Sequence, residues 1–107
     1  MSDETIVLIA RLKVKKGTEE EAKQAALAIV ADSRAEAGCL NYDFHQAIDD
    51  STIFFWHETW ASKSALDAHF EKPYFAELGA KLKDIAEEPP QLTLTKMVSE
   101  KARLLVN

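Results

Sequence analysis

The sequence predicts an α+β fold whose elements run β-α-β-β-α-β, and three observations carry that expectation. Residues 6–14, the stretch 39–60 and residues 91–98 alternate apolar and polar side chains with the period of half-buried strands. The apolar residues of 18–38 and 62–87 recur instead at three- and four-residue spacing, as on a helix with one buried stripe. Turn and stop residues separate these blocks: "KKGT" at 15–18, Gly38, "DDS" at 49–51 and "EEPP" at 87–90.

Taken in order, "IVLIARLKV" places Ile6, Leu8, Ala10, Leu12 and Val14 on one face of the first strand and Val7, Ile9, Arg11 and Lys13 on the other. Thr18 and Glu21 have the spacing of a capping box, and "EEE" suits the positive end of a helix. Ala22, Ala25, Ala26, Ile29, Val30 and Ser33 then make a stripe of mostly small residues, and Gly38 is a fitting helix stop. Residues 39–48 and 52–60 form a hairpin. The register of its turn decides whether Tyr42 or Asn41 shares a face with Trp60: three turn residues favour Tyr42, two or four favour Asn41.

Ile53 and Phe55 lie on one face of the second hairpin strand, and Phe54, Trp56 and Trp60 on the other. Ser62 caps a short helix with Ala65, Leu66, His69 and Phe70 inward. Pro73 suits the start of a second helical piece, 73–87, with Phe75, Leu78, Leu82 and Ile85 inward. Right-handed crossovers put both helical segments on one face of a four-stranded sheet, which is the ferredoxin-like sandwich. Val7, Ile9 and several aromatics should then lie on the open face. An apolar face of that kind calls for a cover, and a second copy of the chain is the simplest one.

With 107 residues, one domain is expected over 1–107, with a core at about 6–98 and a C-terminal tail at 99–107. The net charge of −5 argues against nucleic-acid binding, because the lysines are scattered among acids. "MSDET" reads as neither a signal nor a transit peptide, and no apolar run is long enough for a membrane span. A cytoplasmic protein with no nucleic-acid and no membrane partner is the expectation. Cys39 is the only cysteine, which excludes an intrachain disulfide; a small half-buried residue suits it better than a catalytic thiol.

The run "FFWHETWASKSALDAHF" at 54–70 concentrates the candidate chemistry. His57-Glu58 begins like a zincin motif, but position 61 is alanine, and on a strand the two side chains point to opposite faces. His45, His57 and His69 lack metal-ligand spacing, so no metal site is expected. No P-loop, dinucleotide fingerprint or nucleophile elbow is present, so an enzyme here would work without a recognisable cofactor motif. What remains is geometric. Glu58 and Trp60 share a strand face, and His69 faces inward from the next helix. Together they would place a carboxylate, an indole and an imidazole in one partly buried corner able to hold a proton near neutral pH. A hydrogen-bonded core histidine and a locally paired glutamate are the structural alternatives.

The segments "LKVKKGTEEEAKQA", "SRAEAGCLNYDF", "HETWASKSALDAHF" and "PYFAEL" resemble, in order, the antibiotic biosynthesis monooxygenase (ABM) family. The likeness covers about residues 6–98, and its most specific part is A-G-C-L-x-Y, then E-x-W, then a histidine nine residues after the tryptophan. It implies a ferredoxin-like fold paired into a homodimeric α+β barrel with a pocket between helices and sheet. It also implies a cofactor-independent monooxygenase acting on a quinol or another electron-rich aromatic. His69 and Glu58 would then be the catalytic pair, His69 as acid/base and Glu58 orienting the site. Trp60, Tyr42, Tyr74 and Phe44 would be substrate-binding. The alternative on the same scaffold is a non-oxidative isomerase or a small-molecule binding module. Two positions depart from the family pattern. Tyr74 stands where many relatives carry a second histidine, and Gly79 stands where the haem-degrading members carry theirs.

Overall fold

The computed structural model describes residues 4–100. The elements are β1 (Ile6–Lys13), α1 (Glu19–Leu27), α2 (Val30–Arg34), β2 (Cys39–Gln46), β3 (Ile53–Trp60), α3 (Lys63–Phe70), α4 (Pro73–Lys83) and β4 (Gln91–Thr95). The four strands form one antiparallel sheet in the order β2-β3-β1-β4. This is the ferredoxin-like α+β sandwich that the element order demands. The part of the expected tail beyond residue 100 lies outside the described residues.

The covered face is fixed by alternation. Leu8, Ala10, Leu12, Phe54, Trp56, Glu58, Trp60 and Tyr42 are all buried, and the register pairs Leu8 with Glu58, Ala10 with Trp56, Leu12 with Phe54 and Tyr42 with Glu58. Helical residues Ala22, Ala25, Ala26, Ile29, Leu66, Leu78 and Leu82 join the same core. Fully burying side chains of Leu or Phe size stabilises by about 1.5–3 kcal/mol each, so this single face holds most of the driving force.

The aromatics of β3 divide as the alternation predicts, with Phe54, Trp56 and Trp60 covered and Phe55 opposite, but fewer aromatics reach the open face than expected. Phe44 pairs with Trp56 and stacks on Phe54 at 5.2 Å, so it too belongs to the covered face. Phe55, half-buried, is the one aromatic of β3 on the open face, beside the exposed His57 and an Ile9 that is 43% exposed. The strand is thus buried on one side only, as its strict alternation requires.

Three local expectations change. Thr18 does not cap α1: its hydroxyl donates to the Lys15 carbonyl at 2.6 Å, closing the turn in which Gly17 has φ +95°. The Glu19 carboxylate accepts from the Gly17 N–H at 2.7 Å. The first helical segment breaks at Ile29, whose N–H turns back to the Ala26 carbonyl at 3.3 Å, a tight i→i−3 bond that lets the side chain stay buried. The last helix stops at Lys83 rather than 87, because the chain beyond it has a better partner. Lys15 N–H bonds the Ile85 carbonyl at 2.8 Å, and Glu87 N–H bonds the Lys13 carbonyl at 2.7 Å. Ser62 does cap α3, accepting from the Ala65 N–H at 3.1 Å.

Candidate active site

Glu58 sits in the middle of β3, on the covered face, between its cross-strand neighbours Leu8 and Tyr42. It is 4% exposed. Trp60, two residues on, shares that face by strand geometry, and its indole N–H donates to Glu58 Oε1 at 2.9 Å. Burial pushes the Glu58 carboxyl up to about 7; the Trp60 N–H opposes this, and the negative charge of Glu36 adds to it.

His69 comes from α3. With Leu66 it forms the inward edge of a helix whose start is fixed by the Ser62 cap. Its imidazole is fully buried. The ring lies 4.7 Å from Trp60 and meets Tyr42 edge-on at 5.5 Å. Its Nδ1 is 2.8 Å from Oε2 of Glu36, and the Tyr74 hydroxyl, from α4, donates to that same oxygen. The Nε2 atom is buried and has no hydrogen-bond partner among the described residues. Glu36 reaches this point from the turn between α2 and β2. That turn closes on Gly38, at φ +85°, where a Cβ would stand 2.7 Å from the Ala65 Cβ. Glycine is required there by both conformation and space.

A cavity of about 600 Å³ opens between the sheet and α4. Its sheet wall is Leu8, Ala10, Tyr42, Trp56 and Glu58, and its helix wall is Phe70, Phe75, Leu78, Gly79 and Leu82. Lys83, Glu87 and Glu88 also line it, with Pro89, Pro90 and Leu92. Glu88 is held by Arg11 at 2.8 Å.

The structure therefore brings Glu58, Trp60, His69, Tyr42 and Tyr74 into one connected group, but only Glu58 and Tyr42 of the expected residues line the cavity. Trp60 and His69 lie behind its wall, Tyr74 ties α4 to Glu36, and Phe44 packs between Phe54 and Trp56, 4.7 Å from the indole. Sequence reasoning missed Glu36, which carried no signal beyond a charge near a glycine. It also gave Trp56 and Phe75 no more than core roles, although the two-residue offset from Glu58 and the α4 stripe point them at the same space. Burial and the nearby Glu36 and Glu58 carboxylates push the Cys39 thiol up to about 11, which removes it as a nucleophile at neutral pH. Burial likewise raises the phenols of Tyr42 and Tyr74, so both stay protonated donors.

Comparison with protein families matches residues 5–81 to the family described as antibiotic biosynthesis monooxygenase. This chain belongs to the ABM family. Among its relatives, the "Uncharacterized protein sll1783" of Synechocystis is 32% identical over 90% of this chain; the match spans 65% of that longer protein. The Bacillus subtilis protein named "Putative monooxygenase YcnE" is 33% identical, over 86% of this chain and 97% of its own. The crystal structure of PA3566 from Pseudomonas aeruginosa superposes with a TM-score of 0.85 at 29% identity, covering 92% of this ABM chain and 99% of that one. The family match spans β1, β2, β3, α3 and most of α4, the elements that carry Glu58, Trp60, His69 and Tyr74.

Proposed function

We propose that this ABM domain is a cofactor-independent monooxygenase acting on a quinol or another electron-rich hydroxyaromatic bound in the cavity beneath α4. The observation that carries the reading is Glu58: a buried carboxyl in a predominantly apolar cavity wall, with its pKa raised to about 7. A carboxyl so placed can take a phenolic proton near neutral pH and return it. The phenolate that forms is electron-rich enough to pass an electron to dioxygen. Recombination gives a C–O bond and a peroxide. Cleavage of the O–O bond leaves one oxygen on the ring, and the other departs as water with two of the substrate's hydrogens. The four electrons all come from the substrate. The protein's share is to hold the ring, exclude water and manage the protons.

In this reading Glu58 faces the substrate hydroxyl and Trp60 holds Glu58. Tyr42 forms the adjacent wall, and His69 is the second proton-handling group. Tyr74 and Phe44 shape the site from behind, through Glu36 and through Trp56.

Two copies pair in solution as part of the same proposal. Ile9 exposes 43% of its surface on the open face of β1, opposite the helices, and a partner would cover it. Sedimentation should give twice the 12.0 kDa chain mass; a monomer at micromolar concentration removes the pairing.

The activity test is oxygen uptake with reduced 1,4-naphthoquinone, measured above the autoxidation rate of the quinol alone. One O₂ consumed per substrate, with loss in Glu58→Gln and His69→Ala, supports the reading. No enhancement across a panel of quinols and naphthols overturns it.

A further inference from the structure

The least expected polar feature of the molecule lies behind the cavity wall rather than in it. Oε2 of Glu36 is shared by the Tyr74 hydroxyl and His69 Nδ1, so the α2–β2 turn meets α3 and α4, 33 and 38 residues further along the chain, at one oxygen atom. The side chains of Glu36 and His69 are 6% and 0% exposed. A carboxylate oxygen only accepts. Nδ1 must therefore carry the proton, and in the neutral ring Nε2 is then a bare lone pair. That lone pair is buried and unpartnered among the described residues, an arrangement that costs free energy unless some state of the protein uses it. Three of the rings that box in the imidazole also line the cavity: Tyr42 at 5.5 Å, Phe75 at 5.2 Å and Phe70 at 5.9 Å.

We propose that Glu36 is the positioning residue of this site: it locks His69 in the Nδ1–H tautomer, so that Nε2 is presented as the acceptor for a hydroxyl of the bound aromatic. The substrate class this implies carries two separated hydroxyl groups. One faces Glu58, and the other reaches the Nε2 lone pair once the Phe70–Phe75 pair, in contact with ring centroids 5.0 Å apart, turns aside. A quinol has that pattern, whereas a simple phenol satisfies only one acceptor. The inference rests on the reading of the cavity as a hydroxyaromatic site, but its first readout does not require turnover.

The experiment is ¹⁵N NMR of histidine-labelled protein at pH 8, with tautomers assigned from long-range couplings. His69 is expected with Nδ1 protonated and Nε2 bare. Anaerobic addition of 1,4-dihydroxynaphthalene should move the His69 Nε2 resonance in the direction of an accepted hydrogen bond, whereas 1-naphthol should move it less. Glu36→Ala should scramble the tautomer and lower kcat on the order of tenfold to a hundredfold, with a smaller change in KM. Glu36→Gln keeps a carbonyl oxygen for both donors, so it should keep the tautomer and recover most of kcat. A wild-type His69 protonated at Nε2, or at both nitrogens, overturns the proposal. So does an Nε2 resonance that ignores the diol, or a Glu36→Ala protein with unchanged tautomer. If no quinol is turned over but the tautomer and the diol shift appear, the oxygenase reading fails while this one stands.

Discussion

Two buried carboxylates, Glu36 and Glu58, stand on either side of the Trp60–His69 pair and live in different surroundings. Glu58 lines a cavity and receives one donor, the Trp60 indole. Glu36 lies behind the wall and receives two, His69 Nδ1 and the Tyr74 hydroxyl, on a single oxygen. The same functional group serves different ends according to what surrounds it. With one donor and a cavity beside it, the carboxyl keeps room for an incoming hydroxyl, and burial raises its pKa to about 7. With two donors on one oxygen, it becomes a fixed joint between helices.

The comparison breaks most directly at Glu36. Glu36→Ala strands one buried donor, His69 Nδ1, while the half-buried Tyr74 hydroxyl keeps the Asp32 carbonyl at 3.3 Å, so a loss of up to about 3 kcal/mol is expected in urea unfolding. A loss under 1 kcal/mol would make the joint dispensable.

Glu58 gives the next largest effect, and it depends on pH. Its folded pKa of about 7 lies above the ordinary value of 4.5, so the folded state holds the proton more tightly than the unfolded chain does. The corresponding stability is fully present below about 4.5 and is lost as pH rises through 7. The difference in stability between pH 5 and pH 8 that Glu58→Gln abolishes should reach about 3 kcal/mol at most. In activity the sign is opposite: the ionised carboxylate is the base, so kcat/KM should rise with a midpoint near 7 and lose that limb in Glu58→Gln. A profile that is flat between pH 5.5 and 8.5 would remove Glu58 as the base.

Gly38→Ala acts on the turn that delivers Glu36. A positive φ and a 2.7 Å approach to the Ala65 Cβ should together cost about 2 kcal/mol. Adding Ala65→Gly should return the steric part and leave the conformational part, a separation that thermal unfolding of the double variant would read.

The smallest effect is at Ser62. Removing the cap of α3 with Ser62→Ala should cost about 1 kcal/mol and loosen His69 before it touches Glu58. Faster hydrogen exchange in α3 with unchanged exchange in β3 would mark the two carboxylates as separately held.

The fold was legible in the sequence wherever a period was clean. β1, β2 and β3 fall within two residues of their expected bounds, because alternation binds each side chain to a face and a one-residue slip would bury the polar set. Less legible was whatever depended on a distant partner. The last helix ends early because residues 84–87 bond back to Lys13 and Lys15, which no local propensity reports. Thr18 had the spacing of a cap, yet the Gly17 turn drew its hydroxyl to Lys15. The site divides in the same way. Glu58 and Trp60 share a face by strand geometry, and His69 turns inward by helical spacing, so those three could be named from the chain alone.

What the sequence by itself determined, then, is the order of elements, the face each side chain takes and the family motif, because periodicity and capping act over a few residues. The tertiary structure alone decided that Tyr42 rather than Asn41 sits beside Glu58, that Phe44 joins the covered face, and that α4 leaves a cavity against the sheet. It alone joined Glu36, His69 and Tyr74, 33 and 38 residues apart from Glu36 along the chain. A hydrogen bond across that span is set by how helices dock on the sheet, and docking depends on the whole core at once.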